Sequence, residues 1–391
     1  MPKEINLREL RLKVALAGGG TGGHTYPLIA VFRKLKKICE GHLVILDSFY
    51  IGPDTFNEEI FTKEGIKVVK ITSGKWRAYF SPLNFIDIFK LIIGIFQAFF
   101  KLWKNMPDII FSKGGYGALP TVIAGYFLGI PIVIHESDAV PGKSNKIAAA
   151  FARKVALAFE TAKQYFLPEK TVVVGNPVRD SILHNNIPQE EGKKYFGFLP
   201  DKPLVLFLGG SQGSQRINDL VLDSIEMLLK NDVQILHQTG SKNYKEIFLE
   251  SKLILEFLPE PYTKFYQVRD FLNEKDYLHA LAAADLIVSR AGSGAIFEIA
   301  AAKKPSILIP LPEAAHNHQH LNAIEYARFN AAIILEEKNA TPNLLVKKIL
   351  DILNDSNQKA LMINGAKLFI KKDAAEEISK IIFETLQIDF E

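Results

Sequence analysis

One cysteine, Cys39, stands among 391 residues. A lone thiol closes no intramolecular disulfide and builds no cysteine-based zinc site, so a reducing cytoplasm suits the chain best. No charge of one sign dominates: 47 basic against 43 acidic side chains leave a net +4, which argues against nucleic acid as a partner. From Met1 to Val14 there is no apolar signal core or small-residue cleavage site before the first strand pattern, and export is not expected. Spanning a bilayer takes about 20 apolar residues in a row. Residues 83–103 come nearest, but Asp87, Lys90, Gln97 and Lys101 interrupt them, and ionised groups in hydrocarbon are costly. A metal motif is missing too. Within His316-Asn317-His318-Gln319-His320 only His316 and His320 share a helical face, and no glutamate completes an H-E-x-x-H pattern. Polar sugar contacts, and no metal, are expected there.

What is present is a hydrophobic share of 48% against 23% charged residues, the balance of a folded chain, with length for two domains. Short apolar runs ending in Gly, Ser or Asn alternate with segments of helical periodicity. The runs cover residues 13–17, 42–46, 67–71, 108–111, 130–134, 154–158 and 171–174, and after a polar stretch the series restarts at 204–208, 233–237, 286–289, 306–309 and 332–335. Such a βα series predicts buried parallel strands in two doubly wound α/β halves. The break is placed near Pro177, where a proline ends a ladder, giving domains 1–177 and 178–372. A closing helical run, 341–386, breaks near Asn364-Gly365 and again at 371–373, so that a C-terminal helix of about 373–391 is free to pack back on the first domain. Ligands of open α/β sheets bind beyond the C-terminal strand ends, and two facing sheets would put both sets of loops on one central cleft.

The first strand runs into Gly18-Gly19-Gly20-Thr21-Gly22-Gly23-His24 before a helical pattern. Glycines let backbone approach a ligand closely, and the N–H groups and dipole at a helix start favour an anion such as a diphosphate. The stretch also satisfies G-x-G-x-x-G, with Asp47 read as ending the next strand where a ribose-binding acid of a dinucleotide fold would sit. A tight packing turn is the plain alternative. His24, at the helix start, should lean neutral and suits a general base, or is simply a capping or core histidine. The device recurs at Gly209-Gly210-Ser211-Gln212-Gly213-Ser214 and at Arg290-Ala291-Gly292-Ser293-Gly294-Ala295, whose helix carries Glu298. A carboxylate one turn into such a helix can accept two ribose hydroxyls. Three anion-friendly loops favour a nucleotide-diphosphate sugar over a lone phosphate. Glu136 and Asp138 close the strand at 130–134; each is a candidate base or a cap for the helix after Gly142. Arg179 could neutralise phosphate charge or bridge the domains.

Taken together, GGTGGH at Gly19–His24, HES-DAVPG at His135–Gly142, GNPVR at Gly175–Arg179, GGSQGS at Gly209–Ser214 and RAGSGAIFEIAA ending at Ala301 resemble, in order and over nearly the whole chain, the MurG family of N-acetylglucosaminyltransferases, which convert lipid I into lipid II. The resemblance implies a GT-B glycosyltransferase fold of two Rossmann-like domains, the donor held mainly by the second, and inversion at the anomeric carbon without bound metal or cofactor. Carried over by position, Thr21, Gly22, Gly23, Arg179, Ser211 and Gln319 would contact UDP-GlcNAc. Leu272 would meet the uracil through its backbone, and Ser293, Gly294, Ala295, Ile296, Phe297 and Glu298 would line the diphosphate and ribose. Asp138 stands where the family has asparagine, so its contact with the donor is not carried over unchanged. The implied partners are UDP-GlcNAc, a polyprenyl-diphosphate-linked acceptor, the cytoplasmic membrane surface and other cell-wall-synthesis proteins.

The expected chemistry is a single displacement in which a base, open between His24, Asp138 and Glu136, deprotonates the acceptor hydroxyl as UDP leaves. Lys75-Trp76-Arg77-Ala78-Tyr79-Phe80, with the apolar segment behind it and Lys101 and Lys104 beyond, mixes aromatic and basic side chains as interfacial anchors do. Peripheral docking on the membrane and a buried core helix, apolar on every face, are the two readings of that segment. Competing functions are a UDP-GlcNAc 2-epimerase on the same fold, a dinucleotide oxidoreductase, which leaves two glycine loops idle, and a non-catalytic UDP-sugar binding module.

Overall fold

The computed structural model describes residues 10–19, 22–53, 58–74, 83–210, 213–312, 314, 317–370 and 373–389. Thr21, Ser211, His316 and the segment 75–80 lie outside the described residues. The chain divides into two compact units, Met1–Arg179 with Lys372–Glu391, and Asp180–Lys371.

The first unit holds seven strands: β1 (Arg11–Ala17), β2 (Ile45–Gly52), β3 (Lys67–Lys70), β4 (Ile109–Ser112), β5 (Ile132–Glu136), β6 (Lys154–Leu157) and β7 (Thr171–Val173). They form one sheet in the order β3-β2-β1-β4-β5-β6-β7, and neighbours pair in parallel. The second unit holds β8 (Leu204–Leu208), β9 (Gln234–Gln238), β10 (Tyr266–Arg269), β11 (Leu286–Ser289), β12 (Ser306–Leu308) and β13 (Ala332–Ile334), ordered β10-β9-β8-β11-β12-β13 and again parallel. Central strands such as β5, β8 and β11 are buried at every residue, because helices cover both faces of a parallel sheet and unbroken apolar runs are what such a position requires.

Each strand order reverses once, between β1 and β4 in the first sheet and between β8 and β11 in the second. At such a switch point the loops leaving two neighbouring strands diverge and open a crevice. The loops placed there are the ones after Ala17 and Ser112, and those after Leu208 and Ser289.

Several sequence expectations are corrected. The second strand is Ile45–Gly52 rather than 42–46: the preceding helix, Gly22–Gly41, is followed by Leu43 at φ 56°. Asp47 therefore lies near the start of β2, opposite Lys13, whose ammonium it meets at 3.5 Å. It does not end the strand, so Asp47 is not placed as the ribose acid of a dinucleotide fold. β10 was not expected at all. Gly365 does not break the closing helical run; it lies inside helix Ser356–Phe369, where a Cβ would come within 2.0 Å of the Phe329 carbonyl oxygen, so a close approach requires it. Asp355 divides that run instead, capping the helix that follows through Asn357 and Gln358. The last helix, Ala374–Leu386, inserts Ile378, Ile381, Ile382 and Phe383 into the core beneath β1 and β4.

The apolar segment is the helix Leu83–Asn105, and among the described residues no helix is long and apolar enough to cross a membrane. It is not apolar-buried all round. Ala98 and Leu102 are fully buried and Asp87 nearly so, while Phe89, Phe96, Phe100 and Trp103 are each more than 60% exposed.

Candidate active site at two switch points

In the first unit the loop after β1 brings His24 to the first turn of helix Gly22–Gly41. Its ring lies against two glycines: a Cβ on Gly19 would sit 3.2 Å from His24 Nδ1, and one on Gly115 would sit 2.9 Å from Nε2. Gly115 also has φ +81°, so both space and backbone exclude a side chain there. Burial and then the charge of Lys113 push the imidazole down to about 4. At neutral pH it is the proton-free form that a general base needs. Gly22 and Gly23 open the helix beside it.

Glu136 ends β5 and is buried. Its Oε1 accepts from the Asp138 backbone N–H at 2.9 Å and its Oε2 from Asn145 Nδ2 at 2.8 Å. Helix Lys143–Phe151 starts at Gly142, and Glu136 meets that helix through the Asn145 side chain rather than through its first backbone N–H groups. Burial, reinforced by Asp138, raises the Glu136 carboxyl above its ordinary range. His135 Nε2–H donates to the Gly175 carbonyl at 2.9 Å, fixing the turn before Arg179. The Arg179 guanidinium lies 5.0 Å from the ring centroid of Tyr26, a cation–π contact that holds it near the His24 helix.

Sequence reasoning missed the loop after β4, Lys113-Gly114-Gly115-Tyr116. Gly114 and Gly115 both have positive φ, and a Cβ on Gly114 would meet Asn145 Oδ1 at 2.1 Å. Lys113 is 1% exposed and its Nζ has no hydrogen-bond partner among the described residues. The signal was available: a Lys-Gly-Gly directly after an apolar strand is a further glycine loop.

In the second unit Ser214 caps helix Gln215–Leu222, and its Oγ accepts from Arg290 Nη2 at 2.7 Å and Nε at 3.1 Å. Arg290 also donates from Nη1 to the Ile309 carbonyl at 3.2 Å and forms an ion pair with Glu337. One buried guanidinium thus ties the loops leaving β8, β11 and β12. Behind them His237 Nε2–H donates to Asn218 Oδ1, and the Tyr266 hydroxyl to His237 Nδ1, each at 3.0 Å. This tautomer is assigned from the network, and burial pushes the ring down to about 3. The pair anchors the helix that follows the β8 loop.

Helix Ser293–Ala301 begins at Gly292 without a side-chain cap, so its first-turn N–H groups are available to an anion. The Ser293 hydroxyl is buried with no hydrogen-bond partner among the described residues. Glu298, in the same helix, accepts from the Tyr277 hydroxyl at 2.9 Å. The side chains of Ile296 and Phe297 are buried, Phe297 against Phe369 at 4.7 Å between ring centroids, and the Ile296 N–H is taken by Gly292 O. Helical periodicity turns them to the core, while Ser293, Gly294 and Ala295 occupy the open first turn. Leu272 is buried just before Asn273 caps helix Glu274–Ala283. Gln319 Oε1 accepts from the Leu311 N–H at 3.1 Å, pinning the start of helix His318–Ala327 to the loop after β12. His320 faces Glu336 at 2.8 Å.

The glycosyltransferase family 28 N-terminal domain matches residues 14–157 and the family 28 C-terminal domain residues 204–378. A Clostridium tetani protein named UDP-N-acetylglucosamine--N-acetylmuramyl-(pentapeptide) pyrophosphoryl-undecaprenol N-acetylglucosamine transferase is 38% identical over 352 residues, covering 90% of this chain and 92% of the relative. Among solved structures, Acinetobacter baumannii MurG superposes with a TM-score of 0.70 at 24% identity, over 95% of this chain and 99% of that one. A UDP-GlcNAc 2-epimerase from Neisseria meningitidis, bound to UDP-GlcNAc, superposes with a TM-score of 0.65 at 12% identity, over 97% and 100%. At such identities these structures speak for the fold alone.

Proposed function

The chain belongs to glycosyltransferase family 28, among the MurG transferases, and from that membership we infer that it transfers N-acetylglucosamine from UDP-N-acetylglucosamine to the undecaprenyl-pyrophosphoryl N-acetylmuramyl-pentapeptide acceptor, lipid I, forming lipid II. The observation that carries this is the match to a named transferase over nine-tenths of the chain. The likeness to the epimerase speaks for the fold alone.

The second unit is assigned the donor. Its uncapped helix at Ser293 and the glycines after β8 offer N–H groups to the diphosphate, Glu298 meets the ribose hydroxyls, and the backbone at Leu272 meets the uracil. Thr21, Gly22, Gly23, Arg179, Ser211 and Gln319 complete the donor contacts. The first unit supplies the base, with His24, Glu136 and Asp138 as its candidates, and the acceptor hydroxyl attacks the anomeric carbon as UDP departs from the opposite face. Oriented N–H groups and the Arg179 cation stabilise charge growing on the leaving diphosphate. In EDTA, UDP should form from UDP-GlcNAc only when a lipid I analogue is added. Interconversion of the UDP-sugar without acceptor would move the assignment to an epimerase.

Membrane docking accompanies this function. Along helix Leu83–Asn105 the exposed Phe89, Ile92, Ile93, Phe96, Phe100 and Trp103 recur at helical spacing, with Lys90 and Lys104 beside them, and Tyr126 and Phe127 of helix Leu119–Phe127 are exposed as well. An apolar stripe edged by lysines is what an anionic lipid surface takes up. Replacing Phe96 and Phe100 together by aspartate should weaken binding to anionic vesicles at least about tenfold, with UDP release to a soluble acceptor retained. Equal flotation of variant and wild type would remove the docking assignment.

A further inference from the structure

Lys113 carries a cost that packing does not explain. An ammonium buried without a hydrogen bond loses several kcal/mol of hydration, and a methionine would fill the same space without that loss. Lys113 leaves β4, the strand beside the reversal point of the first sheet, and its backbone N–H donates to the Ala17 carbonyl at 2.8 Å, holding it against the loop that carries His24. Its charge lowers both His24 and His135, and it is itself drawn by Glu136 and Asp138. Every candidate base therefore lies within reach of this one cation.

The other neighbours leave it that role. Asn145, from helix Lys143–Phe151, is neutral and holds Glu136. Helix Leu119–Phe127 brings no ionisable group besides Tyr126. Helix Ala374–Leu386 packs against β4 to β6, but its Glu376, Glu377 and Lys380 pair with one another and with Lys34. Burial pushes Lys113 itself down, and the two carboxylates pull it back toward the charged form.

We propose that Lys113 is a positioning residue for the base: its buried ammonium, held against the loop of His24 and drawn by Glu136, keeps whichever of these two accepts the acceptor proton in the proton-free form. The sign is the same for both, because a nearby cation disfavours protonation of an imidazole and of a carboxylate alike. The inference rests on the transferase reading, and the two fail separately: a wild-type protein without acceptor-dependent UDP release fails the transferase reading before any variant is made.

The test is the pH profile of kcat/KM for UDP release, with UDP-GlcNAc and a lipid I analogue, in wild type, Lys113→Met and Lys113→Arg. In Lys113→Met the acid limb should move up by about one pH unit, a loss of about tenfold at pH values below both limbs. The profiles should converge above them, and Lys113→Arg should restore the wild-type limb. An unmoved limb in an active Lys113→Met enzyme overturns the proposal. So does a raised acceptor KM at every pH with the limb in place, which would make Lys113 a ligand of the substrate phosphates. Should Lys113→Met turn over too slowly to profile, the His24 imidazole titrated by NMR gives the same answer without turnover: its midpoint moves up if the proposal holds and stays if it does not.

Discussion

Replacing His24 by alanine lowers kcat for acceptor-dependent UDP release by about 10²- to 10⁴-fold, the range general-base groups supply, with little change in the KM for UDP-GlcNAc. The expectation rests on three features of the first unit. The ring sits at the C-terminal edge of β1 beside the sheet's reversal point, where ligands bind in such folds. It is held between Gly19 and Gly115, where a Cβ on Gly115 would crowd Nε2 at 2.9 Å and one on Gly19 would press on Nδ1 at 3.2 Å. Burial and the Lys113 charge keep it unprotonated at neutral pH. Steady-state kinetics of His24→Ala beside Glu136→Gln decides between the candidates. A loss of less than about tenfold in His24→Ala, with a larger one in Glu136→Gln, would make the carboxylate the base. The Glu136 side chain is already oriented by Asp138 and Asn145, and burial raises its carboxyl, the direction a proton-transfer role needs.

Arg290→Met should destabilise the second unit by about 3–5 kcal/mol, because removing one partner of a buried ion pair strands the other. The melting temperature should fall by about 10 °C, given the entropy change of a unit this size. Arg290 is 9% exposed, and its loss would leave Glu337, the Ser214 hydroxyl and the Ile309 carbonyl without their shared donor. Lysine should not substitute, since a single ammonium cannot fork to three loops. The functional consequence follows from the same contacts: the loops after β8 and β11 would no longer be pinned together, so the stabilisation given by saturating UDP should shrink in the variant. A thermal unfolding series with and without UDP reads both effects. A Tm within a degree or two of wild type would show that the pin is dispensable.

The central strands were legible because their burial leaves one signature: β8 and β11 occupy the predicted spans to the residue. Positions at the margins were not. β10 lies at the sheet edge, and only Tyr266 and Val268 face inward, so its short alternation was lost between two helical patterns. β2 was misplaced because Leu43 and Val44 are as apolar as a strand, while the chain there is still leaving the helix before it. Motif position gave Ser293 to Glu298 as one ligand-lining run without showing that the helical period that turns Glu298 toward Tyr277 turns the side chains of Ile296 and Phe297 inward. Lys113 was overlooked for a different reason. Its role depends on β4 lying beside both β1 and β5, and strand order is not written in any local pattern.

The last helix of the chain has a consequence for synthesis. Ile378, Ile381, Ile382 and Phe383 are core residues of the first unit, yet they follow the whole of the second unit in sequence. While the polypeptide emerges from a ribosome, the strands made first wait for a missing wedge of their interior, and the contiguous second unit is the part able to close first. A truncated chain ending before Asp373 would leave apolar surface under β1 and β4 uncovered, so a stalled or nicked product should be recognised by chaperones and proteases through its oldest segment rather than its newest.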